Sequence, residues 1–382
     1  MDFGWNDEQL QLRDAVRAFA ERELADDVTQ RDRTGEFARE LWNRCARFGL
    51  PGLPIPPEFG GQGADALTTM LALETLGYAC RDNGLIFSLN AHMWSAAMPI
   101  LRFGTDEQRK RFLPSLCDGT FIGVQGMTEP GTGSDAFALT TRATQTTGGY
   151  LLAGSKTFIT NAPVADVFVV FASTAPAMGA MGISAFLVEG DIPGLHVGTP
   201  FEKMGLRTSP MSELFFDECF VPDECMLGRP GNGMTIFNHS IDWERACILA
   251  SAVGTMQQQV EQVVAYAGER AQFGQPIGKF QAVSHRIADM QVRTEAARML
   301  LYKAGWAKQQ GTRAPAMESA IAKLYISEAW VQNSLDALQV RGGYGYLTES
   351  EVERDVRDAL ASRIYSGTSD IQRNIISSRL GL

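Results

Sequence analysis

Residues Tyr150–Phe171, YLLAGSKTFITNAPVADVFVVF, decide how this chain is read. The β-branched and aromatic residues come in short runs, Tyr150 to Leu152, Thr157 to Thr160 and Val167 to Phe171, with Gly, Asn, Pro and Asp between them. Branched side chains pack well on a pleated surface and the intervening residues suit turns, so the runs read as strands. Ile183 to Val188 and Glu213 to Phe216 repeat the texture, and together these runs place a small β domain at residues 121–230.

On both sides the period becomes helical. Leu10, Val16, Phe19 and Leu24 recur near helical spacing beside a charged face, and this pattern holds from Asn6 to about Cys117. Pro51, Pro54, Pro56 and Pro57, followed by Gly60, Gly61 and Gly63, break it before a second set of helices from Ala66 to Leu116. Beyond the turn GRPGNG, helices are expected at about Met234–Gly268, Pro276–Gln309 and Pro315–Gln339, with two shorter pieces near the end. The fold class is α+β, mainly α: an N-terminal helical domain at 1–120, the β domain, and a C-terminal helical bundle at 231–382.

A chain of 382 residues, 45% of them hydrophobic, has enough apolar surface for more than one packed unit. The net charge of -10, with no Lys/Arg run, argues against nucleic acid as a partner. Cys45, Cys80, Cys117, Cys219, Cys225 and Cys247 form no CxxC pair, and His92, His196, His239 and His285 have no ligand spacing. No metal is expected, and the thiols are expected to be reduced. The N-terminal segment lacks an apolar signal core and no run is long enough to span a bilayer, so a cytoplasmic protein without a membrane partner is expected.

Chemistry-bearing residues fall in five places. Glu244 lies in SIDWERACILASA, Ser240–Ala252, which reads as an acidic turn opening an apolar helix. Desolvation beside Trp243 would raise its carboxyl toward the range of a base working near neutrality; equally, Asp242 and Glu244 suit the first turn of a helix, where the dipole favours anions. QGMTEPGTGSD, Gln125–Asp135, offers backbone N–H groups at Gly131 and Gly133 that suit anionic oxygens, or is an ordinary loop. RAQFGQPIGKFQ, Arg270–Gln281, carries a fixed cation and two aromatic faces, or is a polar interhelical loop. QVRGGYG, Gln339–Gly345, presents bare backbone, and GTSDIQR, Gly367–Arg373, starts the last helix with free N–H groups or a plain cap. There is no strand followed by GxGxxG near the start and no GxxxxGK[ST] anywhere, so neither common nucleotide-binding βαβ fold is supported.

TEPGTGSD, FITN, DWER, RAQFG, QVRGGYG and IYSGTSDIQR occur in this order, and over its whole length the chain resembles the acyl-CoA dehydrogenase family. The resemblance implies FAD, a C-terminal four-helix bundle, and oxidation of the Cα–Cβ bond of an acyl thioester to an alkene. It places Gln125, Met127, Thr128, Gly133 and Ser134 along the flavin, and Phe158, Ile159 and Thr160 over its other side. Arg270, Phe273 and Gln281, with Gln339, Gly342 and Gly343, would reach the cofactor of a neighbouring subunit, so a homo-oligomer, a tetramer, is expected. Thr368 and Asp370 complete the cofactor set. Many members carry their catalytic glutamate where this chain has Ser366; a minority carry it just before the Arg that opens the first C-terminal helix, which here is Glu244 followed by Arg245. Glu244 is then the base, Ser366 gives its backbone N–H to the thioester oxygen, and Ser134, Asp242, Trp243 and Arg245 line the substrate site. Phe158 stands where many members have Trp.

For the acyl group, IDWERACILASAVG and IYSGTSDIQR resemble most the natural-product branch, whose members oxidise acyl groups such as L-prolyl on the phosphopantetheine arm of a carrier protein. Two alternatives stay open: a catabolic, isovaleryl-type acyl-CoA dehydrogenase and an oxygen-using flavin enzyme on the same fold. The electron acceptor is correspondingly an electron-transfer flavoprotein or oxygen.

Overall fold

A computed structural model describes residues 4–25, 27–311 and 315–382. The described part of the first unit starts with α1 (Asp7–Glu23), followed by α2 (Val28–Thr34), α3 (Arg39–Phe48), α4 (Ala66–Ala79), α5 (Asn83–His92), α6 (Met98–Phe103) and α7 (Asp106–Cys117). Asn6 and Thr105 each form a reciprocal capping box, with Gln9 and Gln108, which satisfies N–H groups that α1 and α7 would otherwise leave open. Between α5 and α6, Met93–Ala97 is a π-helical segment.

The sheet comprises β1 (Gly123–Gly126), β2 (Arg142–Thr146), β3 (Gly149–Thr160), β4 (Val167–Ser173), β5 (Ile183–Glu189), β6 (Leu195–Val197), β7 (Met211–Pro222) and β8 (Met226–Leu227). Its order is β6-β7-β3-β2-β4-β5-β8, with β1 pairing in parallel to β4. Every residue of β4, VFVVFAS, is buried, which explains why this strand reads as a continuous apolar run rather than an alternating one. His92 ties the sheet to α5: its Nδ1 accepts from Gly123 N–H at 3.0 Å, so the proton lies on Nε2, which donates to Leu116 O at 3.0 Å.

The C-terminal part holds α8 (Gly233–Cys247), α9 (Ala250–Glu269), a small hairpin of β9 (Ala271–Gln272) and β10 (Gln275–Pro276), α10 (Gln281–Gln309), α11 (Pro315–Arg341), α12 (Val352–Ala361) and α13 (Ser369–Arg379). Helices α8 to α11 pack on one another as the four-helix bundle. The bundle docks on α4 through glycines: a Cβ on Gly77 would stand 2.0 Å from Ser251 O, and one on Gly254 would stand 1.9 Å from Glu74 O. No larger residue lets α4 and α9 approach this closely. One continuous hydrophobic core runs from the first helices through the sheet into the bundle.

Two sequence expectations are corrected. The helix expected over Met234–Gly268 is two helices meeting at Ile248–Leu249, so Glu244 lies in the last turn of α8, not the first turn of a helix, and Arg245 closes that helix instead of opening it. The helix expected from Pro276 starts at Gln281, because Phe273 and Gly274 adopt left-handed φ values of 49° and 80° and turn the chain into a hairpin first.

Candidate active site

Asp242 and Glu244 are two residues apart on α8, so their side chains leave the helix on different sides. Asp242 accepts from Lys308 Nζ at 2.6 Å, and the same ammonium lies 4.5 Å from the Trp243 ring centroid. Trp243 stacks on Trp94 with centroids 6.0 Å apart and planes 5° from parallel. The π-helical turn around Trp94 leaves its carbonyl available, and Ser240 Oγ lies 2.9 Å from it and 3.0 Å from Gln125 Oε1. This face links the helices to β1 but does not bring Asp242 or Trp243 to Glu244.

Glu244 meets Ser366. The Ser366 hydroxyl donates to Glu244 Oε1, so the serine that replaces the usual glutamate has a carboxylate partner that sequence reading did not find. Ser366 and Gly367 sit in a turn with left-handed φ values of 57° and 85°. Arg245 Nε and Gln372 Nε2 donate to Ser366 O at 3.0 and 3.1 Å; Lys323 Nζ and Gln372 Nε2 donate to Gly367 O, both at 2.8 Å. Among the described residues Ser366 N–H has no acceptor, which leaves it free for a ligand oxygen.

Burial pushes the Glu244 carboxyl above its ordinary range, against the Ser366 hydroxyl, Arg245 and Lys323, which pull it down. Lys323 is fully buried, and burial, with Arg245 adding to it, lowers its ammonium to about 7. Neither Lys323 nor Gln372 was a sequence candidate; the one mark of Lys323 is a charge set in the apolar stretch AIAKLYI.

The loop Gln125–Asp135 is held from beneath. Lys156 Nζ donates to Glu129 Oε1 at 2.8 Å and to Met127 O at 3.3 Å. Glu129 also accepts from Thr140 N–H and hydroxyl, both at 2.6 Å, and from Thr141 N–H at 2.9 Å. Burial acts upward on Glu129, but Lys156 and these donors outweigh it and hold the carboxyl down to about 2. Above this anchor a Cβ on Gly131 or Gly133 would meet nothing within 4 Å, Ser134 is exposed, and the buried Thr132 hydroxyl has no partner among the described residues. Thr128 O accepts from Thr157 N–H at 2.9 Å, which joins the loop to β3.

A bulge in β3 between Lys156 and Ile159 turns Phe158 outward at φ 58°, 62% exposed and 5.7 Å from Phe201. Thr160 is half-buried at the end of the strand. Met127 and Ile159 are buried, so they present backbone, not side chain, to anything on this surface.

The remaining candidates lie elsewhere. Arg270, Gly342 and Gly343 line a groove of about 520 Å³ with Tyr266, Arg341 and Tyr344. Phe273 is 94% exposed at the hairpin tip, and Gln281 and Gln339 are exposed nearby. Thr368 caps α13 by accepting from Ile371 N–H at 3.3 Å, which leaves its N–H side toward the turn, and Asp370 is exposed and paired with Arg373. An outward aromatic ring, an open glycine loop with an unpartnered hydroxyl, and a groove of cations and bare backbone together fit a flavin dinucleotide.

Family models for the N-terminal, middle and C-terminal domains of acyl-CoA dehydrogenase match residues 6–120, 125–219 and 231–381. An L-prolyl-[peptidyl-carrier protein] dehydrogenase of Pseudomonas fluorescens is 43% identical, with 100% of both chains covered. The crystal structure of a prolyl acyl carrier protein oxidase, AnaB, is 47% identical with a TM-score of 0.97, covering 99% of this chain and 100% of that one. The structure of PigA with FAD and proline is 41% identical with a TM-score of 0.98 and covers 100% of both chains. No described helix is long and apolar enough to cross a membrane. The chain belongs to the acyl-CoA dehydrogenase family and is an FAD-dependent oxidoreductase.

Proposed function

We propose that the enzyme oxidises the Cα–Cβ bond of an L-prolyl group held as a thioester on the phosphopantetheine arm of a carrier protein, in natural-product biosynthesis. The observation that carries this reading is the half-buried Glu244 carboxylate, raised by burial and set beside the free Ser366 N–H in a chain that resembles prolyl-carrier enzymes end to end. A thioester α-hydrogen is weakly acidic, so removing it needs a polarised carbonyl and a desolvated base together. Glu244 takes the α-proton, and Ser366 N–H donates to the thioester oxygen where negative charge develops.

Gln125, Met127, Thr128, Gly133, Ser134, Phe158, Ile159, Thr160, Thr368 and Asp370 would hold FAD, which, when bound, supplies the two-electron oxidant for the β-hydride. Arg270, Phe273, Gln281, Gln339, Gly342 and Gly343 serve the cofactor of a second copy, so the working form is a homo-oligomer, a tetramer. An electron-transfer flavoprotein or oxygen then removes the electrons. Six buried free cysteines suit a reducing compartment, and we assign the protein to the cytoplasm.

The test is anaerobic bleaching of the flavin on mixing with prolyl-loaded carrier protein and, separately, with isovaleryl-CoA. Bleaching by the carrier thioester alone is the expected result. Bleaching by the CoA ester alone would return the enzyme to branched-chain catabolism.

A further inference from the structure

Only one oxygen of Glu244 is engaged. Oε1 accepts the Ser366 hydroxyl, whereas Oε2 has no hydrogen-bond donor or ion-pair partner among the described residues and is not one of the sealed, unsatisfied polar atoms of the interior. The hydroxyl is presented to Oε1 from a fixed backbone. It is carried by a non-glycine residue at φ 57°, a conformation that L residues rarely adopt, and three side chains from three different helices, Arg245, Lys323 and Gln372, clamp the two carbonyls of the turn. A left-handed residue persists only where its surroundings over-determine it, and here they do.

We infer that Ser366 is a positioning residue whose hydroxyl fixes one oxygen of Glu244 and thereby aims the other, Oε2, as the atom that accepts the substrate proton. The inference rests on the reading of Glu244 as the base. It explains what a serine does where a backbone N–H alone would be served by any residue. A hydrogen bond donated to a carboxylate also favours its charged form, so the same contact keeps the carboxylate ionised although burial drives it toward neutrality. The other groups facing Glu244 are Arg245 on its own helix, Lys323 on α11 and the Tyr365 phenol of the turn.

The test titrates Glu244 directly in the FAD-loaded enzyme without substrate. The infrared band of the neutral carboxyl is followed against pH and assigned by its absence in Glu244→Gln. In Ser366→Ala the midpoint should move up by about one unit, since a hydrogen bond to a charged group is worth roughly that much. Ser366→Gly, which lacks the hydroxyl but relaxes the left-handed backbone, should show the same displacement. In anaerobic bleaching, both variants should stay about tenfold slow at high pH, where the carboxylate is ionised but has lost its aim, and should be slowed by about a further tenfold below the midpoint. An unmoved midpoint, or a wild-type rate regained at high pH, would overturn the inference, as would a wild-type titration in Ser366→Gly alone, which would assign the effect to backbone strain. The base itself is judged separately: unimpaired bleaching by Glu244→Gln would refute the reading beneath it, whatever the infrared midpoints show.

Discussion

The two ends of α11 differ in kind. Near its start Lys323 is fully buried and bonded to the turn that carries Ser366 and faces Glu244. At its end Arg341, Gly342 and Gly343 border an open groove with Arg270, about 27 Å away along the axis at 1.5 Å per residue. The first end is closed on itself: the Ser366 and Gly367 carbonyls have their donors and Glu244 has its hydroxyl. The second is unfinished. The Arg270 and Arg341 guanidinium groups lie over the rings of Tyr344 and Tyr266, 5.7 and 5.3 Å from the centroids, and among the described residues neither has a carboxylate within ion-pair distance. Two cations without a carboxylate partner among the described residues, in a chain of net charge -10, have the chemistry to receive an anionic group such as a phosphate. In the function proposed above, the first end does chemistry within a chain and the second serves the cofactor of another copy.

The sharpest separation of the two ends comes from Glu244→Gln. Anaerobic flavin reduction by the substrate should fall by about 10²- to 10⁴-fold, the usual share of a general base, with FAD content and affinity unchanged. Loss of FAD in that variant would mean the ends are not independent.

Arg270→Ala should give the converse result. FAD affinity should weaken by about 10- to 100-fold, as expected for losing a charge-assisted contact, and should fall further on dilution as subunits separate. The infrared titration of Glu244 should stay where it is. Equal FAD affinity at all protein concentrations would remove the argument for a second copy at the groove.

The smallest effect is a slope in stability against pH. The unfolded lysine keeps its proton to 10.5, whereas Lys323 in the fold loses its own near 7, so between these values the unfolded chain holds one more proton and stability rises with pH. Lys323→Met should lower that slope in urea unfolding by up to about 1.4 kcal/mol per pH unit. Arg270→Ala should leave it unaltered.

Much of this was legible beforehand for physical reasons. The strand texture of Tyr150–Phe171 and the helical spacing around it follow from side-chain shape and period, which act locally. Family motifs added Glu244, Ser366, Arg270 and the glycines, because backbone approach to a cofactor restricts residue type at single positions. The misplaced boundaries lay where local pattern and tertiary demand differ: Ile248 and Leu249 look helical yet join two helices, and Pro276 ends a hairpin instead of opening a helix.

Composition, period and motif thus settled the layers of the fold and the family, since each of these is written in residue type and spacing along the chain. The partnership of Ser366 with Glu244, the clamp of Arg245, Lys323 and Gln372 on one turn, and the Lys156–Glu129 anchor under the Gln125–Asp135 loop arose only on folding. Serine and glutamate here are 122 positions apart in the chain. Neither residue carries any local mark of the other, because a hydrogen bond between distant segments is fixed by how helices pack and not by the propensity of either segment.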